Sequence, residues 1–152
     1  MFESLNDLVK AQAKFRANMN ASGKIAIKAA LKEIFENFPQ IESIRWTQYA
    51  PHFNDGEACV FGVNECDVKL KDREVDPNIE SDEEIDEDGW VDSYGLEDAI
   101  KDKDLKKIIP KVISEFEEAI QGMDDTMEDT FGDGVRVTAT RDSIEVEEYE
   151  HD

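Results

Sequence analysis

A chain of 152 residues with 38 Asp and Glu against 17 Lys and Arg carries a formal net charge of −21 at neutral pH, which repels polyanions and so disfavours nucleic acid held by counterion release and anionic membrane surfaces. A hydrophobic fraction of 39%, including eight Phe and two Trp, is enough for one compact domain over 1–152 without disulfide staples or a structural metal. No signal-peptide pattern opens the chain and no stretch approaches the roughly 20 apolar residues of a membrane span, so a soluble, cytoplasmic protein is expected.

Ser4 is an N-cap for a first helix whose apolar positions Leu5, Leu8, Val9, Phe15 and Met19 recur at three- and four-residue steps up to about Asn20. Ser22 and Gly23 open a second helix with the stripe Ile27, Leu31, Ile34, Phe35 and Phe38, stopped by Pro39, and the two helices are expected to form a hairpin. From Ile41 the period changes to two. Ile44 and Trp46 alternate with Ser43, Arg45 and Thr47, and Cys59, Phe61 and Val63 alternate with Val60, Gly62 and Asn64, which predicts a β-hairpin joined through Pro51 and an Asn54-Asp55-Gly56 turn. Val68 and Leu70 either extend the second strand or continue it after a bulge.

Residues 72–98 hold thirteen acidic residues against Arg73 alone and read as an acidic loop, disordered in part. Helical periodicity returns in Leu105, Ile108, Ile109, Val112, Ile113, Phe116, Ile120, Met123 and Met127. Phe116 is expected in the core, and its neighbour Glu117 is expected to contribute little to stability. Proline costs about 3 kcal/mol inside a helix, so Pro110 predicts a short first piece followed by a kink or a fresh start. Gly132-Asp133-Gly134 closes the helix. Val135, Val137 and Ala139 then face Ile144 and Val146 of a last strand across Arg141-Asp142-Ser143. The order ααββαββ predicts an α+β domain in which an antiparallel sheet of about four strands is covered by helices on one face. No fixed-period repeat is present.

The sharpest local pattern is Glu84-x-Asp86-x-Asp88-Gly89-Trp90-Val91-Asp92, which matches the first half of an EF-hand calcium loop. Its twelfth position is Gly95 instead of the bidentate glutamate, and no apolar helical stripe precedes it. A solvated loop pinned to the body by Trp90 and Tyr94 is a second reading. The third is a partner-binding surface made of Asp82, Glu83, Glu84, Asp86, Glu87, Asp88, Trp90, Asp92 and Tyr94, in which aromatic anchors among carboxylates meet basic residues of a partner. His52, Cys59, Cys66 and His151 match no zinc spacing. The two cysteines are too few and too close for a secreted disulfide framework and read as free, buried or half-buried thiols. Cys59 and His52 are the one nucleophile–base pair that could meet, although alternation places Cys59 in the core. Ser22-Gly23-Lys24-Ile25 lacks the upstream glycine and the Ser/Thr of a P-loop. The sequence therefore offers no catalytic set and no cofactor.

The stretch Ile44-Arg45-Trp46-Thr47-Gln48-Tyr49-Ala50-Pro51-His52-Phe53-Asn54-Asp55-Gly56-Glu57-Ala58-Cys59-Val60-Phe61 resembles a Trp-x-Gln-Tyr-x-Pro-x-Phe-Asn-Asp-Gly-x-x-Cys-x-Phe segment of small acidic proteins of tailed bacteriophages and some bacteria. That group carries no assigned activity. The resemblance implies a protein that binds and blocks host machinery. Read on its own, the stretch is a turn with its own small core of Trp46, Tyr49, Phe53 and Phe61.

Charge and resemblance together favour a non-enzymatic acidic binding protein, a phage-encoded inhibitor or nucleic-acid mimic that occupies a basic surface of a host nucleic-acid-binding or defence protein, without binding nucleic acid or membrane itself. The carboxylate density is comparable in kind to duplex phosphate, with one charge per roughly 1.7 Å of axis. The alternatives are a calcium-responsive protein built on Asp86 and Asp88 and a small enzyme with a site near His52 and Cys59.

Overall fold

The computed structural model describes residue 10 and residues 22–50, 60–77 and 88–149. Its organising element is strand β1 (Ile41–Tyr49), which is paired on both edges. On one side lie β2 (Gly62–Val63) and β3 (Asp67–Leu70), and β3 in turn pairs with β4 (Trp90–Asp92). On the other side β5 (Val135–Thr140) pairs with β1, and β6 (Ile144–Glu148) pairs with β5. All pairings are antiparallel, and the order is β4-β3-β1-β5-β6 with β2 also on β1.

The class is α+β, as the alternation of periods predicts, but the sheet has six strands where about four are expected. Two local effects account for the difference. β2 and β3 occupy the same edge of β1 at different registers, Gln48 opposite Val63 and Ile44 opposite Val68. Asn64 bridges the irregular link by donating its backbone N–H to the Thr47 carbonyl at 2.9 Å and its side-chain amide to the Thr47 hydroxyl at 2.9 Å. Val68 and Leu70 thus continue the edge after an interruption. β4 comes from within the acidic segment, which is not loop throughout.

The described flanks of that segment are held by backbone bonding. A single 3-10 turn (Asp72–Glu74) leads to a Val75–Ile100 bridge, where Asp76 N–H donates to the Ala99 carbonyl at 2.8 Å and Lys101 N–H to the Glu74 carbonyl at 2.9 Å. After β4, one helical turn, α2 (Leu96–Ala99), buries Leu96 and Ala99. These few apolar residues anchor the segment despite its charge, because Val91, Leu96, Ala99 and Ile100 all enter the core.

Residues 22–37 form helix α1, which buries Ile27, Leu31, Ile34 and Phe35 at the expected spacing and ends ahead of Pro39. Gly23 is buried where α1 meets helix α4 (Asp124–Phe131), since an added Cβ would lie 2.7 Å from Thr126 Cγ2. The expected first helix and its hairpin with α1 lie outside the described residues, apart from residue 10, which is helical. The same holds for the Pro51 to Cys59 connection.

Helix α3 (Leu105–Gln121) runs unbroken through Pro110, contrary to the expected kink or restart. Proline removes the N–H that would bond to the Lys106 carbonyl, yet Ile109, Ile113, Phe116 and Ile120 are all buried on one face. At about 1.5–3 kcal/mol per buried side chain, their packing outweighs the roughly 3 kcal/mol penalty. The stripe does not continue as one helix to Gly132 either. Gly122 caps α3, Met123 leaves helical geometry, and α4 starts afresh at Asp124 and ends at Gly132, whose φ of 105° suits glycine.

Inward strand residues Ile44, Trp46, Gln48, Val68, Leu70, Val91, Val135, Val137 and Ala139 are buried, and the apolar ones join helix side chains in one core. Trp46 sits at its centre, edge-on to Phe116 at 5.9 Å and to Phe131 at 5.8 Å. Gln48, fully buried, accepts from Trp46 Nε1 at 3.0 Å and donates to the Met127 and Gly132 carbonyls at 2.8 and 2.7 Å, which ties α4 to the sheet.

Candidate protein-binding surface

Of the nine residues that the sequence marks for partner binding, Asp82, Glu83, Glu84, Asp86 and Glu87 lie outside the described residues. Asp88 is exposed, and Gly89, at φ 90°, turns the chain into β4. Trp90 is half-buried opposite Lys69, with the Arg45 guanidinium 4.3 Å from its ring centroid. Arg45 Nε pairs in turn with Asp67 at 3.1 Å. A cation–π contact and an ion pair thus fix Trp90 to the sheet. Asp92 is spent on its own turn, its carboxylate accepting the Gly95 N–H at 2.7 Å.

Tyr94 does not pin the segment to the body, as one reading expects, because it stands 78% exposed. Its hydroxyl donates to Glu65 Oε1 at 3.0 Å, and that acceptor raises the phenol pKa above its ordinary value. The turn faces α3, and together with the β2–β3 link they enclose an open pocket of about 310 Å³ lined by Glu65, Ser93, Tyr94, Ser114, Glu117, Glu118 and Gln121. The structure therefore groups Tyr94 with glutamates from two distant segments.

Glu117 is the electrostatic centre of this pocket. Contrary to expectation it is only 9% exposed, because it sits on the flank of the α3 stripe, one position past Phe116. The Ser93 hydroxyl and the Cys66 backbone N–H donate to its carboxylate and favour ionisation. Burial first, then the charges of Glu65 and Asp67, prevail and push its pKa above the ordinary value. Cys66 is the expected free thiol, fully buried. Burial and then the neighbouring Glu117 raise its pKa so far that it stays protonated, which removes thiolate chemistry. The other cysteine, Cys59, and its possible base His52 lie outside the described residues.

Sequence reasoning missed Glu65, Glu117 and Glu118. Helical spacing carries a partial signal for Glu117, which is four residues from Ile113 and eight from Ile109 on the buried face. Nothing local points to Glu65. Among the described residues no group of three or more His, Cys, Asp or Glu is arranged to hold a metal ion, and no helix is long and apolar enough to cross a membrane. No protein-family model, curated protein or solved structure matches the chain.

Proposed function

We propose that this is a non-enzymatic acidic binding protein that receives a lysine or arginine of a basic partner protein at the Tyr94 pocket. The observation that carries the reading is a tyrosine 78% exposed beside three glutamates, in a pocket with no lysine or arginine in its lining. A cation placed there donates charge-assisted hydrogen bonds to Glu65 and Glu118 and makes a cation–π contact with the ring. It also relieves the like-charge repulsion that contributes to the raised Glu117 pKa. The net charge of −21 steers such a partner from a distance. In the setting implied by the resemblance over residues 44–61, a protein of this kind acts as an inhibitor or nucleic-acid mimic on a host protein whose own ligand is polyanionic.

The test is binding to a fluorescent arginine- and lysine-rich peptide at low and high salt. Wild-type affinity should fall steeply with salt, because exposed charges are screened beyond about 8 Å at physiological ionic strength. Glu65→Gln with Glu118→Gln should weaken binding about tenfold, equivalent to roughly 1.4 kcal/mol, and Tyr94→Ala should weaken it severalfold. A separate variant neutralising Asp82, Glu83, Glu84, Asp86, Glu87 and Asp88 measures the share carried by the acidic segment. Pocket variants that bind as tightly as the wild type would remove the pocket from the reading, and no binding of the wild type at low salt would end the reading altogether.

A further inference from the structure

A second cavity, about 590 Å³, lies away from the acidic pocket, between α1 and the β5–β6 turn, and shares no residue with it. Its size falls within the range of about 300–1,000 Å³ typical of small-molecule sites. The chemistry of its walls runs against the rest of the molecule. Lys28 and Lys32, one turn apart on α1, and Arg141 on the turn line it together with Glu36 and Asp142. Three cations against two carboxylates leave one net positive charge in a chain whose total is −21.

Two features make this a shaped site and not merely a chance meeting of surface lysines. Arg141 Nη2 donates to the Phe35 carbonyl at 2.9 Å, which holds the guanidinium over the end of α1, and its remaining N–H groups meet no acceptor among the described residues. The turn that carries Arg141 is itself braced, with Thr140 N–H donating to the Ser143 carbonyl at 2.8 Å and the two hydroxyls 3.0 Å apart. Beneath these polar groups, Leu31, buried, and Ile144, half-buried, contribute apolar surface. Lys28 makes no ion pair among the described residues, and Lys32 meets Glu36 only at 3.9 Å, so both ammonium groups can turn to a ligand.

We propose that this cavity binds a small amphipathic anion, with a single carboxylate or phosphate held by Arg141, Lys28 and Lys32 and an apolar body laid over Leu31 and Ile144. Arginine supplies the planar fork that matches such a head group, and the lysines supply point charges. The site is independent of the Tyr94 pocket and of the function proposed for it.

The experiment is a titration of 15N-labelled protein with octanoate, followed by amide shifts, with octanol and inorganic phosphate as comparators. Octanoate should give saturable shifts at Arg141, Asp142, Ser143 and the facing turn of α1. Octanol, lacking the charge, and phosphate, lacking the apolar body, should each bind at least about tenfold more weakly, a difference of roughly 1.4 kcal/mol. Lys28→Gln with Lys32→Gln, both exposed and so compatible with the fold, should weaken octanoate by a similar factor. The proposal is overturned if octanoate gives no saturable shifts at these amides, if octanol or phosphate matches it, or if the double variant binds as the wild type does. The wild-type comparison of the three ligands decides the matter even if the variant folds poorly.

Discussion

Gln48→Leu isolates the polar clamp at the centre of the core. Leucine has nearly the volume of glutamine and suits an interior strand, so the substitution changes hydrogen bonding with little change in packing. Three bonds disappear: Trp46 Nε1 loses its acceptor, and the Met127 and Gly132 carbonyls lose a donor. At about 0.5–1.5 kcal/mol per bond the direct loss is about 1.5–4.5 kcal/mol, and leaving the buried indole N–H unsatisfied adds about 1–3 kcal/mol. Leucine returns about 1 kcal/mol or more by burying apolar surface. The expected net destabilisation is about 1.5–6.5 kcal/mol, read from urea denaturation followed by tryptophan fluorescence and checked by far-UV circular dichroism. Because the clamp joins β1 to α4, amides of α4 should also lose hydrogen-exchange protection before those of β5. A variant as stable as the wild type would show that the buried amide contributes nothing net and that apolar packing alone holds α4.

Phe116→Ala should cost about 3–5 kcal/mol, the usual range for a buried phenylalanine, since it also removes an edge contact with Trp46; a shift in denaturation midpoint equivalent to less than about 1 kcal/mol would contradict its placement. Glu117→Gln tests the buried carboxylate. A raised folded-state pKa means that folding favours the protonated form, so this contribution to stability is complete below the ordinary value of 4.5 and is lost as pH rises through the raised value. Wild type should therefore gain stability relative to Glu117→Gln as pH falls from 7 towards 4.5, and parallel stability–pH curves would refute the shift. Gly23→Ala should destabilise by about 1–3 kcal/mol through overpacking, because the new Cβ meets Thr126 Cγ2 at 2.7 Å; Thr126→Ser removes that methyl and should recover part of the loss, whereas simple additivity of the two would exclude the contact. Glu118→Lys should raise the midpoint slightly, by about 0.3–1 kcal/mol, while weakening binding to the basic peptide.

Elements whose period is unambiguous were legible from residues alone. The α1 stripe, the alternation of β1 and the β5–β6 hairpin with Val137 opposite Val146 all follow from spacing. What escaped has specific causes. β4 has only three residues, Trp90, Val91 and Asp92, and the charge around them conceals a strand that exists because β3 offers an edge. The α3–α4 break is concealed by a stripe that stays in phase through Ile120, Met123 and Met127 even though the backbone turns at Gly122. Pro110 misleads in the other direction, since its local penalty is visible in the sequence and the packing that offsets it is not. Gln48 and Glu117 look like surface residues by type, and only long-range partners make them interior ones. The pocket behaves likewise: Tyr94 stands out as an exposed aromatic among acids, but Glu65 and Glu117 reach it through tertiary structure. Within the resembling segment, the Trp-x-Gln pair has a structural role, because the indole donates to the amide that anchors α4.

The distribution of charge along α3 bears on why the acidic surface exists. A helix favours carboxylates at its N-terminus and cations at its C-terminus, each by about 0.3–1 kcal/mol. α3 has neither an acidic residue in its first turn nor a basic one in its last; Lys106 and Lys107 lie near its start, and Glu117 and Glu118 near its end. Those glutamates also face Glu65 across the pocket. Glu117 is held in the fold by donors from Ser93 and the Cys66 backbone, but exposed Glu118 has no such return among the described residues, and reversing its charge would relieve both the dipole and the repulsion, so folding stability does not account for Glu118. Solubility does not account for it either, because a net charge of −21 would tolerate the loss of one or two carboxylates. Local unfavourable choices without a compensating gain in the fold concentrate at functional sites. On the reading proposed above, an incoming cation would supply that compensation here: it would screen Glu117 from Glu65, oppose the negative end of the helix and meet the exposed ring of Tyr94 in a single step.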